Sequence, residues 1–179
     1  MESLMHTKAI FLDRDGVINK EVNYLRKIDQ IEFIDGVFDS FRHFLKLSYE
    51  IVIITNQSGI AKGYLSHNDF QNISAWMMNQ FSDKNIKILD IIFCPHNPES
   101  NCQCRKPMPG MFLEAKNKYN IDMSKSWMIG DKETDIKAAN NAGVDNTILV
   151  KSGHKVDSKN TNATFCLNSI KDAKKIITF

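Results

Sequence analysis

The chain has 179 residues, 42% hydrophobic and 25% charged, the profile of one globular domain with enough apolar material for a sizeable core. Its 23 basic and 21 acidic residues leave a formal charge of +2, which offers no electrostatic handle to nucleic acid or to an anionic membrane surface. No apolar run reaches the length of a membrane span, and Met1 to Thr7 lacks the apolar core and small-residue cleavage site of a signal peptide, so the cytoplasm is the expected compartment.

Strand-like and helix-like segments alternate along the chain. Lys8 to Asp13 is an apolar run that ends on two acids one residue apart, Asp13 and Asp15, followed by Gly16. Burying paired carboxylates is costly without a metal or an opposite charge. A strand end closed by an Asx turn competes here with a turn at Gly16 that aims both acids at the carboxyl edge of a sheet, where open α/β folds keep their ligands. Val37, Phe41, Phe44 and Leu45 then recur at helical spacing. Glu50 to Thr55 is the second strand candidate and runs into Thr55-Asn56-Gln57-Ser58-Gly59. Ser66 with Asp69 three residues later has the form of a capping box. It opens a helix through Phe70, Ile73, Trp76, Met77 and Phe81, whose Trp76-Met77 stripe reads as core.

Ile88 to Phe93 is the third strand candidate, and Pro109 is placed as the first residue of a third helix. Ser126 to Ile129 is the fourth strand; it leads into Gly130-Asp131-Lys132-Glu133-Thr134-Asp135, where Gly130-Asp131 alone reads equally well as a helix cap. Glu133 to Ala142 forms a fourth helix closed by Gly143, Thr147 to Val150 a fifth strand, and Leu167 to Phe179 one short helix without chemistry. The alternation predicts an α/β fold, a parallel sheet with helices on both faces. No repeat or linker divides it, so residues 1–179 are expected to form one domain.

Between the polar ends of the second and fourth strands lie Cys94, His96, Cys102 and Cys104, immediately before Arg105 and Lys106. Three thiolates and an imidazole make a closed tetrahedral set of the kind structural zinc requires. Disulfides are the competing account, but cytosolic thiols stay reduced and three cysteines cannot all pair among themselves. Zinc in a small peptide is worth on the order of 10 kcal/mol, enough to set an otherwise loose loop and the two cations that follow it. Cys166 reads as an inert buried thiol, and His6, His43, His67 and His154, without ligand spacing, as surface or core residues.

Together the polar strand ends resemble the haloacid dehalogenase-like phosphohydrolases. The first motif matches Asp13-Arg14-Asp15-Gly16-Val17-Ile18, the second Thr55, the third Lys106, and the fourth Gly130-Asp131 with Asp135, in order over nearly the whole chain. The resemblance implies a three-layer Rossmann-like parallel sheet with no large cap domain, the site being covered by loops and by the zinc-binding loop 94–104. It implies that Asp13 attacks phosphorus to form an aspartyl-phosphate. Mg²⁺ would be held by the Asp13 carboxylate, the Asp15 backbone carbonyl, Asp131 and waters. The Asp15 side chain would act as acid and then base, Thr55 and nearby amides would hold the phosphoryl oxygens, and Lys106, oriented by Asp135, would balance their charge. Lys132 is either a substrate contact or a solvated lysine of a first helical turn.

A zinc loop in such a phosphatase narrows the resemblance to two groups, the D-glycero-D-manno-heptose 1,7-bisphosphate 7-phosphatases and the histidinol-phosphate phosphatases. Asn19 to Tyr24, Glu32-Phe33-Ile34-Asp35-Gly36-Val37, Cys102-Gln103-Cys104-Arg105-Lys106-Pro107 and Trp127 to Lys132 resemble the heptose enzymes. That group's substrate contacts then fall on Glu21, Val22, Asn23, Tyr24, Thr55, Asn56, Gln57, Ser58, Arg105 and Lys106, with Arg105 gripping the distal phosphate through its planar fork. The loop between His96 and Cys102 is shorter than in those enzymes, although ligand types and order survive. The resemblance thus implies a monomeric, Mg²⁺-dependent phosphatase of a small phosphosugar in heptose supply for surface glycans, without nucleic-acid or membrane partners; histidinol phosphate is the alternative substrate.

Overall fold

The computed structural model describes residues 7–179. Six strands, β1 (Lys8–Leu12), β2 (Tyr49–Asn56), β3 (Asp90–Cys94), β4 (Trp127–Gly130), β5 (Asn146–Val150) and β6 (Phe165–Leu167), pair in parallel in the order β3-β2-β1-β4-β5-β6. The helices are α1 (Val37–Lys46), α2 (His67–Ser82), α3 (Gly110–Tyr119), α4 (Glu133–Asn141) and α5 (Ile170–Ala173).

Because strand side chains alternate between faces, each strand feeds two cores. Ile10, Leu12, Ile51 and Ile53 meet Phe41 and Phe44 of α1, Met77 and Phe81 of α2 and Ile170 of α5. Ala9, Phe11, Val52 and Ile54 meet Met111 and Phe112 of α3 and Ala138 and Ala139 of α4. This two-sided cover explains why the strands read as continuous apolar runs rather than as alternations. Each fully buried Phe or Ile contributes about 1.5–3 kcal/mol, so the sheet interior, not its polar edge, holds the fold together.

The strand order reverses beside β1: the chain builds β2 and β3 on one side, then returns past β1 to add β4, β5 and β6 on the other. Such a reversal opens a crevice at the carboxyl ends of the strands. Register levels those ends. Leu12 lies opposite Ile53 of β2 and Ile129 of β4, and the Asp13 amide donates to the Ile129 carbonyl at 3.0 Å. The polar residues that follow β1, β2 and β4 therefore reach the crevice at nearly one height.

The five expected strands form within one or two residues of their anticipated bounds. The Ser66–Asp69 capping box also forms: Ser66 Oγ accepts from the Asp69 amide at 3.1 Å and Asp69 accepts from the Ser66 amide at 2.8 Å, worth about 1 kcal/mol. Pro109 stands one residue before α3, which starts at Gly110. The tail is not one helix. Leu167 ends the edge strand β6, a three-residue piece too short to show alternation in sequence, and only Ile170–Ala173 is α-helical. Cys166, expected to be buried, is partly exposed on that edge strand. His6 lies outside the described residues. No helix among those described is long and apolar enough to cross a membrane.

Candidate active site

At the floor of the crevice, Lys106 is almost fully buried and its ammonium has three partners. It reaches Asp13 Oδ1 at 3.0 Å, Asp135 Oδ1 at 2.8 Å and the Ile54 carbonyl at 2.9 Å. Its three donors are thereby used. Burial alone would discharge this lysine, but the two carboxylates outweigh burial and hold its pKa above the usual lysine value. The Lys106 backbone is fixed as well: its amide donates to Asn56 Oδ1, and Asn56 Nδ2 donates to its carbonyl, both at 3.1 Å. Asp13 Oδ1 also accepts from the Arg14 amide at 2.8 Å, while Oδ2 has no hydrogen-bond partner among the described residues. Burial, reinforced by the nearby Asp135 and Asp15 charges, raises the Asp13 carboxyl despite Lys106.

Asp131 enters from the end of β4 and is fully buried. Its Oδ2 accepts from the His154 amide at 3.1 Å and from His154 Nδ1 at 2.6 Å; its Oδ1 is buried with no hydrogen-bond partner among the described residues. Burial and then the Asp13 charge raise its carboxyl. Two glycines make room for it. A Cβ at Gly16, whose φ is +84°, or at Gly153 would strike the Asp131 carboxylate and the backbone of the other glycine. Ser152 Oγ ties these loops together by donating to the Gly16 carbonyl at 2.6 Å. Asp135, in the first turn of α4, accepts from the Asp131 and Lys132 amides at 3.1 Å with the oxygen that Lys106 leaves free.

One oxygen atom from each of Asp13, Asp131 and Asp135 lies within 4.8 Å of the other two. Three carboxylates thus cluster while Lys106 pairs with only two of them, Asp13 and Asp135, and one buried oxygen of the third, Asp131, has no partner among the described residues. A hard divalent cation that takes oxygen ligands fits this deficit. A second ligand set lies at the end of β3: Cys94 Sγ is 3.6 Å from Cys102 Sγ, Cys104 Sγ is 3.5 Å from Cys102 Sγ, and His96 Nδ1 is 3.3 Å from Cys104 Sγ. A tetrahedron with metal–sulfur bonds of about 2.3 Å has edges of about 3.8 Å. The Cys94 and Cys104 sulfurs, 2.9 Å apart, stand closer than such an edge, while the other separations and the donor set of three thiols and an imidazole suit zinc.

The Asp15 carboxylate, expected to be free, is held. Arg14, itself buried, donates from Nε at 3.1 Å and from Nη2 at 2.7 Å; Asn19 Nδ2 and Gln57 Nε2 add bonds at 2.9 and 3.1 Å. Burial opposes its charge, but the Arg14 guanidinium and these bonds outweigh burial and hold the carboxyl below its usual range. Gln57 also donates to the buried Thr55 hydroxyl at 2.9 Å.

Above this floor opens a cavity of about 900 Å³. The segments Glu21–Tyr24 and Thr55–Ser58 line it together with Arg105, Lys106 and Lys132, so the sequence-derived contact candidates share one space. Sequence reading missed His154 and Arg14. His154 was expected to be an ordinary surface or core residue, yet it bonds a buried acid and lines the cavity. Only its nearness to Ser152-Gly153 at the end of a strand hinted at this. Arg14 stands inside the first motif, where its role as the partner of Asp15 has no signature in spacing.

The HAD-hydrolase-like family model matches residues 103–173. The D-glycero-alpha-D-manno-heptose-1,7-bisphosphate 7-phosphatase of Photorhabdus laumondii is 44% identical over 176 residues, covering 94% of this chain and 96% of that protein. The D-glycero-beta-D-manno-heptose-1,7-bisphosphate 7-phosphatase of Yersinia pestis is 41% identical over 177 residues, with 94% of both chains covered. The D,D-heptose 1,7-bisphosphate phosphatase of B. bronchiseptica, solved with magnesium and phosphate, superposes with a TM-score of 0.83 at 26% identity over 95% of this chain and 97% of that one. This chain belongs to the family of the D-glycero-D-manno-heptose-1,7-bisphosphate 7-phosphatases, within the HAD-like hydrolases.

Proposed function

We propose that this protein is a phosphoric monoester hydrolase that removes the 7-phosphate of D-glycero-D-manno-heptose 1,7-bisphosphate. The observation that carries the chemistry is the buried cluster of Asp13, Asp131 and Asp135, in which Lys106 pairs with Asp13 and Asp135 while Asp131 keeps an unpartnered oxygen. The substrate reading rests on the names borne by relatives aligned over nearly the whole chain. Histidinol phosphate is not favoured by those relatives.

Asp13 Oδ2, free of the bonds that occupy Oδ1, attacks phosphorus in line with the leaving sugar oxygen, and an aspartyl-phosphate forms as that P–O bond breaks. Mg²⁺ held by the Asp13 carboxylate, the Asp15 carbonyl and Asp131 would supply the positive charge that lets a carboxylate approach a phosphate dianion. Lys106 adds its charge from the floor, and the Thr55 hydroxyl with the amides after it receives the phosphoryl oxygens. Asp15, held ionised by Arg14, is suited to the second step, in which it takes a proton from water as the oxygen attacks the aspartyl-phosphate. For the first step it must gain a proton to pass to the sugar oxygen, and the incoming dianion pushes its pKa in that direction. Zinc at Cys94, His96, Cys102 and Cys104 would be architectural, its four ligands leaving no open position. Since Asn56 already fixes the Lys106 backbone, zinc would act mainly on Arg105, whose Nη1 donates to the His96 carbonyl at 3.1 Å.

Phosphate release with Mg²⁺ is measured on both anomers of the heptose 1,7-bisphosphate and on histidinol phosphate. One phosphate per bisphosphate, released from position 7, with histidinol phosphate much poorer, supports the reading. Equal or better turnover of histidinol phosphate rejects it.

A further inference from the structure

The outer wall of the cavity carries a cation that the reaction just described does not use. Lys62, on the turn that follows β2, lines the same cavity as Asp13 and Arg105. Its ammonium is 2.6 Å from the Tyr24 hydroxyl and 5.1 Å from the centroid of that ring. Its backbone is anchored too, the Lys62 amide donating to the Ser58 carbonyl at 3.0 Å. Among the described residues, neither Lys62 nor Arg105 has a carboxylate within salt-bridge distance, in contrast to Lys106 on the floor.

Tyr24 is built to hold that lysine in place. Its φ is +60°, a left-handed conformation that a bulky side chain rarely adopts and that persists only where the surroundings enforce it. They do so here. Tyr24 meets Tyr64 edge-on with centroids 4.7 Å apart, and Arg26 lies 4.9 Å over the Tyr64 ring. Gly59 leaves the space for it, since a Cβ there would come within 3.1 Å of the Tyr24 ring. The Lys62 bond first, and the more distant Arg105 charge last, help to hold the Tyr24 phenol below its usual range.

We propose that Lys62, braced by Tyr24, joins Arg105 in a two-cation subsite at the rim that binds the phosphate not transferred to Asp13. This rests on the bisphosphate reading above and deepens it. A substrate dianion has no reason to be drawn to the rim unless it carries a second phosphate, so Lys62 acts on the choice between bisphosphate and monophosphate rather than on chemistry. Its position on the turn after β2, lining the same cavity as Arg105, allows one distal phosphate to be bound by both cations.

The test compares kcat/KM for heptose 1,7-bisphosphate with that for heptose 7-phosphate in wild type, Lys62→Met, Lys62→Arg and Tyr24→Phe. Methionine keeps the alkyl stem against Tyr24 and removes only the charge. We expect the bisphosphate-to-monophosphate ratio to fall on the order of tenfold in Lys62→Met, the loss lying in KM. Lys62→Arg should recover most of the ratio, and Tyr24→Phe should fall between. A ratio in Lys62→Met within about twofold of wild type overturns the subsite. Wild type that leaves the bisphosphate intact overturns the substrate reading instead and takes the subsite with it.

Discussion

Lys106 on the cavity floor shares its ammonium among two carboxylates and a carbonyl, and Asp15 receives four bonds from three side chains. On the rim, Arg105 makes one bond to a carbonyl and Lys62 one to a phenol. The floor is therefore preorganised, with its hydrogen bonds made before any ligand arrives. The rim keeps its positive charge unspent for a ligand to claim. Preorganised charge in a water-poor site serves a transition state, whereas rim charge without a carboxylate partner serves recognition and is easily altered without loss of the fold.

Changes at the floor should be the most severe. Asp13→Asn keeps the shape but removes the proposed nucleophile, and turnover should fall on the order of 10⁴-fold or more while the circular dichroism spectrum stays native. Retained turnover would end the aspartyl-phosphate account. Next is His154, whose ring donates to Asp131: His154→Ala should weaken Mg²⁺ binding measured by calorimetry about 10- to 100-fold. His154→Asn, which can still present a donor, should restore part of it. If Mg²⁺ affinity is unmoved, the imidazole does not position Asp131.

Cys102→Ser belongs to the rim. It should abolish zinc in metal analysis and raise KM for the bisphosphate about tenfold through Arg105, with kcat little changed because Asn56 still holds Lys106. An equal loss in kcat would mean that the metal supports the floor as well. The smallest effect concerns acidity. The carboxyls of Asp13 and Asp131 are raised in the fold, so without metal they contribute stability at acid pH that is lost as pH rises through their raised values. Mg²⁺ held by these acids, as proposed, would compete with protons for the same oxygens. The increase in Tm on adding Mg²⁺ should thus be largest near neutrality and shrink by a few degrees toward about pH 5. Asp15, lowered by Arg14, runs the other way, its contribution being lost only on stronger acidification.

Much of this was legible in the residues. The strands could be read because two-sided burial makes them unbroken apolar runs, and the first-motif acids stood out because carboxylates seldom end such runs. Asp131 and Lys106 were placed by motif resemblance; their meeting depends on register between β1, β2 and β4, which no local pattern encodes. His154 stayed hidden because its partner lies 23 residues away and the link is made by a loop closing over a glycine pair. Tyr24 offered a phenol to the eye, but its positive φ and its hold on Lys62 exist only once two loops face each other. The brief strand β6 lacked the length for any period to show.

The approach of Gly16 to Gly153, backbone against backbone over one carboxylate, has a consequence for evolution and engineering. The strand that ends at Val150 contributes no attacking group, yet Gly153 beyond it is as intolerant of a side chain as Gly16 in the first motif. On the proposed function, new substrate preferences would be grafted onto the segment from Glu21 to Tyr24 or onto the turn bearing Lys62, both of which line the cavity. A library that also diversified residues 152–154 would mostly sample proteins with a displaced Asp131, and would be mistaken for evidence that the outer loops resist redesign.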